Sequence, residues 1–242
     1  PVGSNFVVGI NIGPNKDSSD RVNDYKLLSQ ELSQFADYIT INISSPNTPN
    51  LRDFHETENL KKVIKAVKVG IFNSKIKNVE LPIFLKIAPD IDETNLETII
   101  KVAYNQKITG LIISNTTIER ITGLKSKNIN EVGGLSGKPL FSKSTNLLAV
   151  ANQMIKTNNY KLYLIAAGGV SDQYSAYTKI LCGADLIQLY SSMTYEGPMI
   201  ANKIIKGIQD LMKRDNIQSL DDIRGIASNV EIAVKIAKNG LK

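Results

Sequence analysis

The chain has 242 residues, 42% hydrophobic and 21% charged, a balance that supports a sizeable core and excludes a disordered or fibrous polymer. Its net charge of +6 is spread along the whole length, with no concentrated basic tract, no tryptophan and no groove-reading motif, so nucleic acid is set aside as a partner. No apolar run reaches membrane-spanning length, Pro1 to Phe6 is not a signal peptide, and the single cysteine has no internal disulfide partner.

In chain order, the apolar, β-branched runs Phe6 to Ile12, Tyr38 to Ile43, Ile83 to Ile87, Leu111 to Ile113, Leu162 to Ala166 and Leu186 to Leu189 are predicted as buried strands. Their near-continuous hydrophobicity predicts a parallel sheet covered by helices. Helical spacing lies between them, in Leu60, Val63, Ile64 and Val67, then in Leu96, Ile99, Ile100 and Ala103. After the last strand, Ile200, Ile204, Ile208 and Leu211 repeat it. Cys182 sits in an apolar stretch and reads as a buried, inert thiol of a reducing compartment, whereas His55 sits in a polar run and reads as surface.

An alternating βα series builds either an open doubly wound sheet or a closed barrel. Every predicted strand ends in residues able to hold a ligand: Asn11, Ser44 to Thr48, Lys86, Ser114 to Thr117, Gly168-Gly169 and Tyr190-Ser191. A barrel gathers all such ends around one mouth, whereas an open sheet spreads them along an edge. No glycine-rich dinucleotide fingerprint follows the first strand, so the barrel is preferred.

The densest polar cluster is Asn42-Ile-Ser-Ser-Pro-Asn-Thr48. Alone, it also fits a strand-ending turn, because Ser, Asn and Pro stop strands. With Asn115 and Thr116 it brings together three carboxamides, whose donors and acceptors suit a planar ring with alternating C=O and N–H edges. Lys86 interrupts the strand Phe84-Leu-Lys-Ile-Ala-Pro-Asp90. It either faces solvent or pairs with Asp90, or, pointing into a barrel, needs an anionic partner to offset its desolvation. Gly133-Gly-Leu-Ser-Gly-Lys-Pro139 and Ala166-Ala-Gly-Gly-Val170 read as tight turns or as phosphate-binding loops. The second loop follows the penultimate strand and Tyr190-Ser191 the last, where barrels frequently bind phosphate through backbone N–H groups.

Gly9-Ile-Asn-Ile-Gly13, Asn42 to Thr48 with Leu51-Arg52, Leu85 to Asp90, Ile113 to Thr117, Gly133 to Leu140, Gly168-Gly-Val170 and Leu186 to Tyr190 occur in order and at matching spacing. Together they resemble dihydroorotate dehydrogenase, from about Val8 to about Gly197. The resemblance implies flavin mononucleotide (FMN) at the mouth of a (β/α)8 barrel, with no metal. Its phosphate would rest on the amides near Gly137, Gly169, Tyr190 and Ser191, with Ser136, Gly168 and Leu189 completing the cofactor set. Asn11, Asn42, Lys86, Ser114 and Asn115 would surround the ring system. The pyrimidine, dihydroorotate becoming orotate, would hydrogen-bond to Asn42, Asn47, Asn115 and Thr116. Ser45 matches the base that removes the C5 proton while the C6 hydride passes to the flavin. Thr48 or a water would relay that proton, and Lys86 would stabilise negative charge as the flavin is reduced.

The soluble class carries cysteine at position 45, so serine there resembles the membrane-associated, quinone-linked class (class 2). This chain departs from the family at Asn50, where glycine is common. Leu220 to Gly225 looks family-like as a chain end, and Ile226 to Lys242 is assigned no element. Residues 1–242 are read as the C-terminal, larger part of a single FMN-binding barrel domain, supplying the third to eighth βα units. Closure needs eight strands, so a further N-terminal segment is expected, carrying the missing strands, the quinone tunnel and the membrane contact. Peripheral attachment to the cytoplasmic side of the cell inner membrane, or to the mitochondrial inner membrane in a eukaryote, follows from the same resemblance. Two rival readings stand beside it: a flavin barrel using a soluble electron acceptor, which serine at position 45 opposes, and a non-catalytic remnant of a barrel.

Overall fold

The computed structural model describes residues 6–45, 57–75, 80–120 and 122–241. The predicted strands appear as β1 (Gly9–Ile12), β2 (Tyr38–Asn42), β3 (Ile83–Ile87), β4 (Gly110–Ile113), β5 (Tyr163–Ala167) and β6 (Leu186–Gln188). They pair in parallel and in sequence order, β1 to β6, as a curled half-barrel. β1 starts later than expected, because the Val8 N–H goes to the Asp37 carboxylate at 2.6 Å and not to a neighbouring strand.

The crossovers are helical: α1 (Arg21–Leu32), α2 (Thr57–Asn73), α3 (Glu93–Asn105), α4 (Phe141–Thr157) and α5 (Gln173–Leu181). Aspartates start three of them. Asp20, Asp92 and Asp172 each accept the backbone N–H three residues on, satisfying an amide that the helix leaves unpaired. After β6 come a short α6 (Ser191–Glu196) and α7 (Ile200–Arg214), whose Ile200, Ile204 and Leu211 are buried as the spacing required, with Ile208 half-buried.

The unassigned tail contains α8 (Val230–Asn239), capped by Asn229 and packed on α5 and α4 through Val230, Ala233 and Ala237. Two of these three contacts are alanine, which makes an apolar stripe too faint to read from periodicity. Cys182 is fully buried, and burial pushes its thiol up to about 12, in keeping with an inert side chain. His55 lies outside the described residues.

Two layers of apolar packing sandwich the sheet. Outward, Ile39, Ile41, Leu85, Ile87, Leu111, Ile113 and Leu164 meet the helices, including the buried Leu60, Val63, Ile64, Leu96, Ile99 and Ile100. Inward, Tyr38, Phe84, Ile112, Ile165 and Ala167 form a separate small cluster. Among the described residues β1 and β6 each lack a second strand neighbour. Apolar surface is bare beside both edges, with Phe6 80% and Leu186 60% exposed.

α1 and α2 pack closely at Gly70. A methyl group there would lie 2.0 Å from Ser29 Oγ and 2.3 Å from the Lys26 carbonyl oxygen. Alanine is the better helix former by about 1 kcal/mol, but overpacking costs about 1–3 kcal/mol. Because the obstruction includes backbone, overpacking wins, and Gly70→Ala is expected to lower the urea midpoint. A midpoint at or above the wild-type value would show that the helices separate freely.

Candidate active site

The site begins with the register of β2 to β4. Asn42 stands opposite Lys86, so two polar side chains share the inner face, beside Ile112 of the apolar cluster. At the ends of β3 to β6 that face opens into a cavity of about 570 Å³. It is lined by Lys86, Ser114, Asn115, Thr116, Ser136, Gly137, Gly168, Gly169, Leu189, Tyr190 and Ser191, all anticipated from the sequence, and by Leu140, Ala167, Val170, Gln188 and Ser192, which were not.

One end of the cavity is a polar cluster. Asn115 Nδ2 donates to Asn42 Oδ1 at 3.2 Å and to Ser44 Oγ at 3.1 Å, and Asn115 Oδ1 accepts from the Thr116 amide at 2.8 Å. The Asn42 oxygen also accepts from the Ser44 hydroxyl at 3.0 Å. The two carboxamides are thus locked to each other, and the Asn42 Nδ2 group has no partner among the described residues. Tyr25, a buried residue of α1, donates its hydroxyl to the Asn42 carbonyl at 2.6 Å and steadies the end of β2 from the helix side. Ser45 follows, half-buried. Asn47 and Thr48 lie outside the described residues. Asn11, exposed on β1, is not among the residues that line the cavity, and neither are Asn42 and Ser45; Asn42 joins it only through its hydrogen bond to Asn115.

Lys86 is half-buried in the cavity wall, and burial pulls its pKa below the ordinary lysine value. It makes no ion pair with Asp90. That carboxylate instead holds the Thr117 hydroxyl, the Ile118 amide at 3.0 Å and Lys143 at 3.1 Å. Burial alone would raise the Asp90 pKa, but these donors outweigh it and bring it below the usual carboxyl value. Asp90 therefore ties the chain after β4 to α4.

The other end is a cradle of main chain. Gly168 and Gly169 both have positive φ, and a Cβ on Gly169 would lie 2.5 Å from the Phe141 Cα at the start of α4. Only glycine lets the turn pass so close to that helix. Across from it, Ser191 Oγ donates to Ser136 Oγ at 2.9 Å, clasping the Gly133 to Pro139 loop to the start of α6. Among the described residues, the amide N–H groups of Gly137, Gly169 and Tyr190 are donated to no carbonyl. The buried Ser192 hydroxyl likewise has no partner.

The loop over the cavity is held by contacts absent from the sequence reading. Thr117 and Leu135 exchange backbone hydrogen bonds of 3.1 and 2.7 Å. Arg120 donates to the carbonyls of Ile118, Ile129, Glu131 and Gly133 at 2.7–3.1 Å. Arg120 lies in a polar, aperiodic stretch, so nothing in the sequence marked it. Ser192 could have been noticed as the second serine after the last strand.

A parallel βα half-barrel whose polar cavity-lining residues gather at the carboxyl ends of its strands defines the class of (β/α)8-barrel proteins. More particularly, the chain belongs to the dihydroorotate dehydrogenase family, whose model matches residues 3–212. It is 44% identical over 220 residues to the dihydroorotate dehydrogenase (quinone) of Bartonella tribocorum, covering 90% of this chain and 60% of that relative. It is 45% identical over 220 residues to the Rhizobium meliloti protein of the same name, with the same coverage. A ligand-free DHODH from Eimeria tenella has the same fold, with a TM-score of 0.84 and 33% identity over 91% of this chain and 64% of that one. The chain thus spans about 60% of the length of the curated relatives it matches.

The Asp90 clamp has a pH signature. Its folded pKa lies below the ordinary carboxyl value of 3.8, so the stability it contributes is present above that value and lost as pH falls through the folded pKa. Asp90→Asn should cost about 1–3 kcal/mol at neutral pH, as expected for hydrogen bonds to a charged group. The difference from wild type should shrink as pH drops below about 4. Denaturant titrations at several pH values measure it, and a penalty independent of pH would remove Asp90 from this role.

Proposed function

We propose that this chain is the larger part of a dihydroorotate dehydrogenase that oxidises dihydroorotate to orotate in pyrimidine biosynthesis, with FMN as cofactor and a quinone as final electron acceptor. The observation that carries this reading is one cavity with two chemically distinct ends. A main-chain cradle with undonated amides stands at one, and Lys86 beside the Asn42–Asn115 pair stands at the other. The cradle fits a phosphate group, to which backbone N–H groups and the unpartnered Ser192 hydroxyl can donate. The cavity at Lys86 fits a planar, electron-accepting ring, so the donor set suits FMN.

When bound, FMN supplies the acceptor for the hydride that leaves C6 of the pyrimidine. The protein's part is to hold the pyrimidine, take the C5 proton and compensate charge. Asn42, whose amide N–H2 has no partner among the described residues, Asn47, Asn115 and Thr116 grip the edges of the substrate ring. Ser45 removes the C5 proton. A serine hydroxyl is a weak base, so its own proton moves on in the same event, through Thr48 or a water. Lys86, lacking an ion pair in the described protein, holds its proton against burial most firmly when negative charge develops beside it. Asn11, outside the cavity, takes part only if cover over β1 carries the cofactor ring toward that edge.

The quinone is proposed because the Bartonella tribocorum and Rhizobium meliloti relatives bear that name, and Ser45 fits the class. Among the described residues no helix is long and apolar enough to cross a membrane. Because the chain spans only about 60% of those relatives' length, peripheral attachment, on the cytoplasmic side of the inner membrane or at the mitochondrial inner membrane in a eukaryote, is assigned to a further polypeptide segment. The same segment would pair with β1 and β6 and cover the apolar residues left bare beside them. The competing reading is a barrel portion that binds flavin weakly and turns nothing over.

Colour separates the two. The purified protein should carry visible flavin absorbance that bleaches on addition of dihydroorotate, and a colourless protein would support the non-catalytic reading. Ser45→Ala should keep its flavin while flavin reduction slows by about 10² to 10⁴, the usual loss for a general base. Stopped-flow reduction at the wild-type rate would pass the base role to another group. Lys86→Met should lower both the flavin reduction potential and the flavin content, because an interior cation beside the ring is removed. A potential unchanged in that variant would make Lys86 a structural residue only.

A further inference from the structure

Behind the glycine cradle lies a charged side chain that the reaction does not use. Lys179, on α5, is fully buried. Its Nζ donates to Ser144 Oγ at 2.9 Å and to Thr145 Oγ1 at 3.0 Å, and stands 5.4 Å from the centre of the Phe141 ring. Among the described residues it forms no ion pair with a carboxylate. Cys182, one turn further along the helix, is no counter-ion, since burial keeps its thiol protonated.

An ammonium group only donates, so both hydroxyls accept from Lys179 and must turn their own hydrogens elsewhere. Thr145 donates to the Phe141 carbonyl at 2.6 Å, and Ser144 reaches the Phe141 and Gly168 carbonyls, each at 3.1 Å. Gly168 belongs to the cradle, and Phe141 is the residue against which Gly169 is wedged. Two hydrogen bonds therefore link the buried cation to the loop that faces the cavity. Resting on the reading that this cradle receives the cofactor's phosphate, we infer that Lys179 is a positioning residue for that phosphate: it orients the Gly168–Gly169 turn and supplies uncompensated positive charge behind it.

The energetics agree with the geometry. Burying an ammonium costs several kcal/mol, and two hydroxyls and a ring offset only part of that. Burial accordingly pulls the Lys179 pKa down to about 7, against the smaller opposing influence of Cys182. A phosphate dianion in the cradle favours the charged form, and the charged lysine favours the dianion. The coupling runs through low-dielectric protein and so escapes most solvent screening. The lysine has no contact with the flavin ring end of the cavity, so its effect is confined to ligands that carry the phosphate.

That confinement makes the test. Binding of FMN and of riboflavin, which lacks the phosphate, is measured by fluorescence quenching on flavin-depleted full-length protein. Lys179→Met should weaken FMN by at least about tenfold, the scale of a unit charge acting through protein, while riboflavin binding stays near the wild-type value. Equal loss for both flavins would mean a purely structural lysine, and loss for neither would also overturn the inference. Should Lys179→Met not fold, Ser144→Ala/Thr145→Val keeps the cation but removes both of its acceptors. The same selective loss of FMN is expected, and an unchanged FMN-to-riboflavin ratio overturns the inference. Wild-type protein that binds both flavins equally would sink the phosphate reading itself, and this role with it. A preference for FMN retained in the variants sinks the role alone.

Discussion

In a parallel sheet a slip of one residue turns every inward side chain outward. The register that sets Asn42 opposite Lys86 and Lys86 opposite Ile112 is what makes a site of the strand ends. It is held from outside by apolar residues: Ile41, Leu85 and Ile113 are fully buried against the helices. Because the outward positions are so strongly hydrophobic, the alternate register would bury Lys86 in the helix layer and expose leucine and isoleucine to the cavity. The site's polarity is in this sense enforced by the packing of the opposite face.

On that frame the two ends of the cavity are built by different means. The ring end uses side chains on strands, where Asn42 and Asn115 fix each other's orientation and Tyr25 fixes the backbone beneath them. The cradle uses main chain, shaped by the approach of Gly169 to the start of α4. Side chains on rigid strands suit recognition of a ring by its edge pattern, whereas amide groups suit an anion whose charge is spread over several oxygens. The loop between them is clamped at both ends, by Asp90 through Thr117 and Lys143 and by Arg120 through four carbonyls. A lid held by charge-assisted bonds to main chain needs little apolar packing of its own, which is how a largely exposed segment keeps one shape.

Two lysines without carboxylate partners among the described residues, Lys86 and Lys179, flank this cavity from inside and behind. Both are held where burial disfavours their charge. An arrangement so costly in the free protein becomes favourable when an anion arrives, and this exchange of stability for affinity is a recurrent feature of functional sites.

The sequence by itself determined the strands, their parallel order and most of the cavity wall. Long apolar runs declare buried strands, and polar residues at their carboxyl ends declare a mouth. Lys86, Asn115, Gly168 and Tyr190 were all legible in this way, because each breaks a local pattern in the chain. The buried helices at Leu60 to Val67 and Leu96 to Ala103 were legible for the same reason, whereas α8 was not, because alanine contacts leave almost no periodic trace. Tertiary structure alone decided which breaks converge. It gave Asp90 to Thr117 and Lys143 instead of Lys86, and brought Lys179 of α5 beneath the cradle through hydroxyls 34 and 35 residues away. Such contacts depend on how helices pack across a sheet, a relation between distant segments that no local pattern of residues encodes.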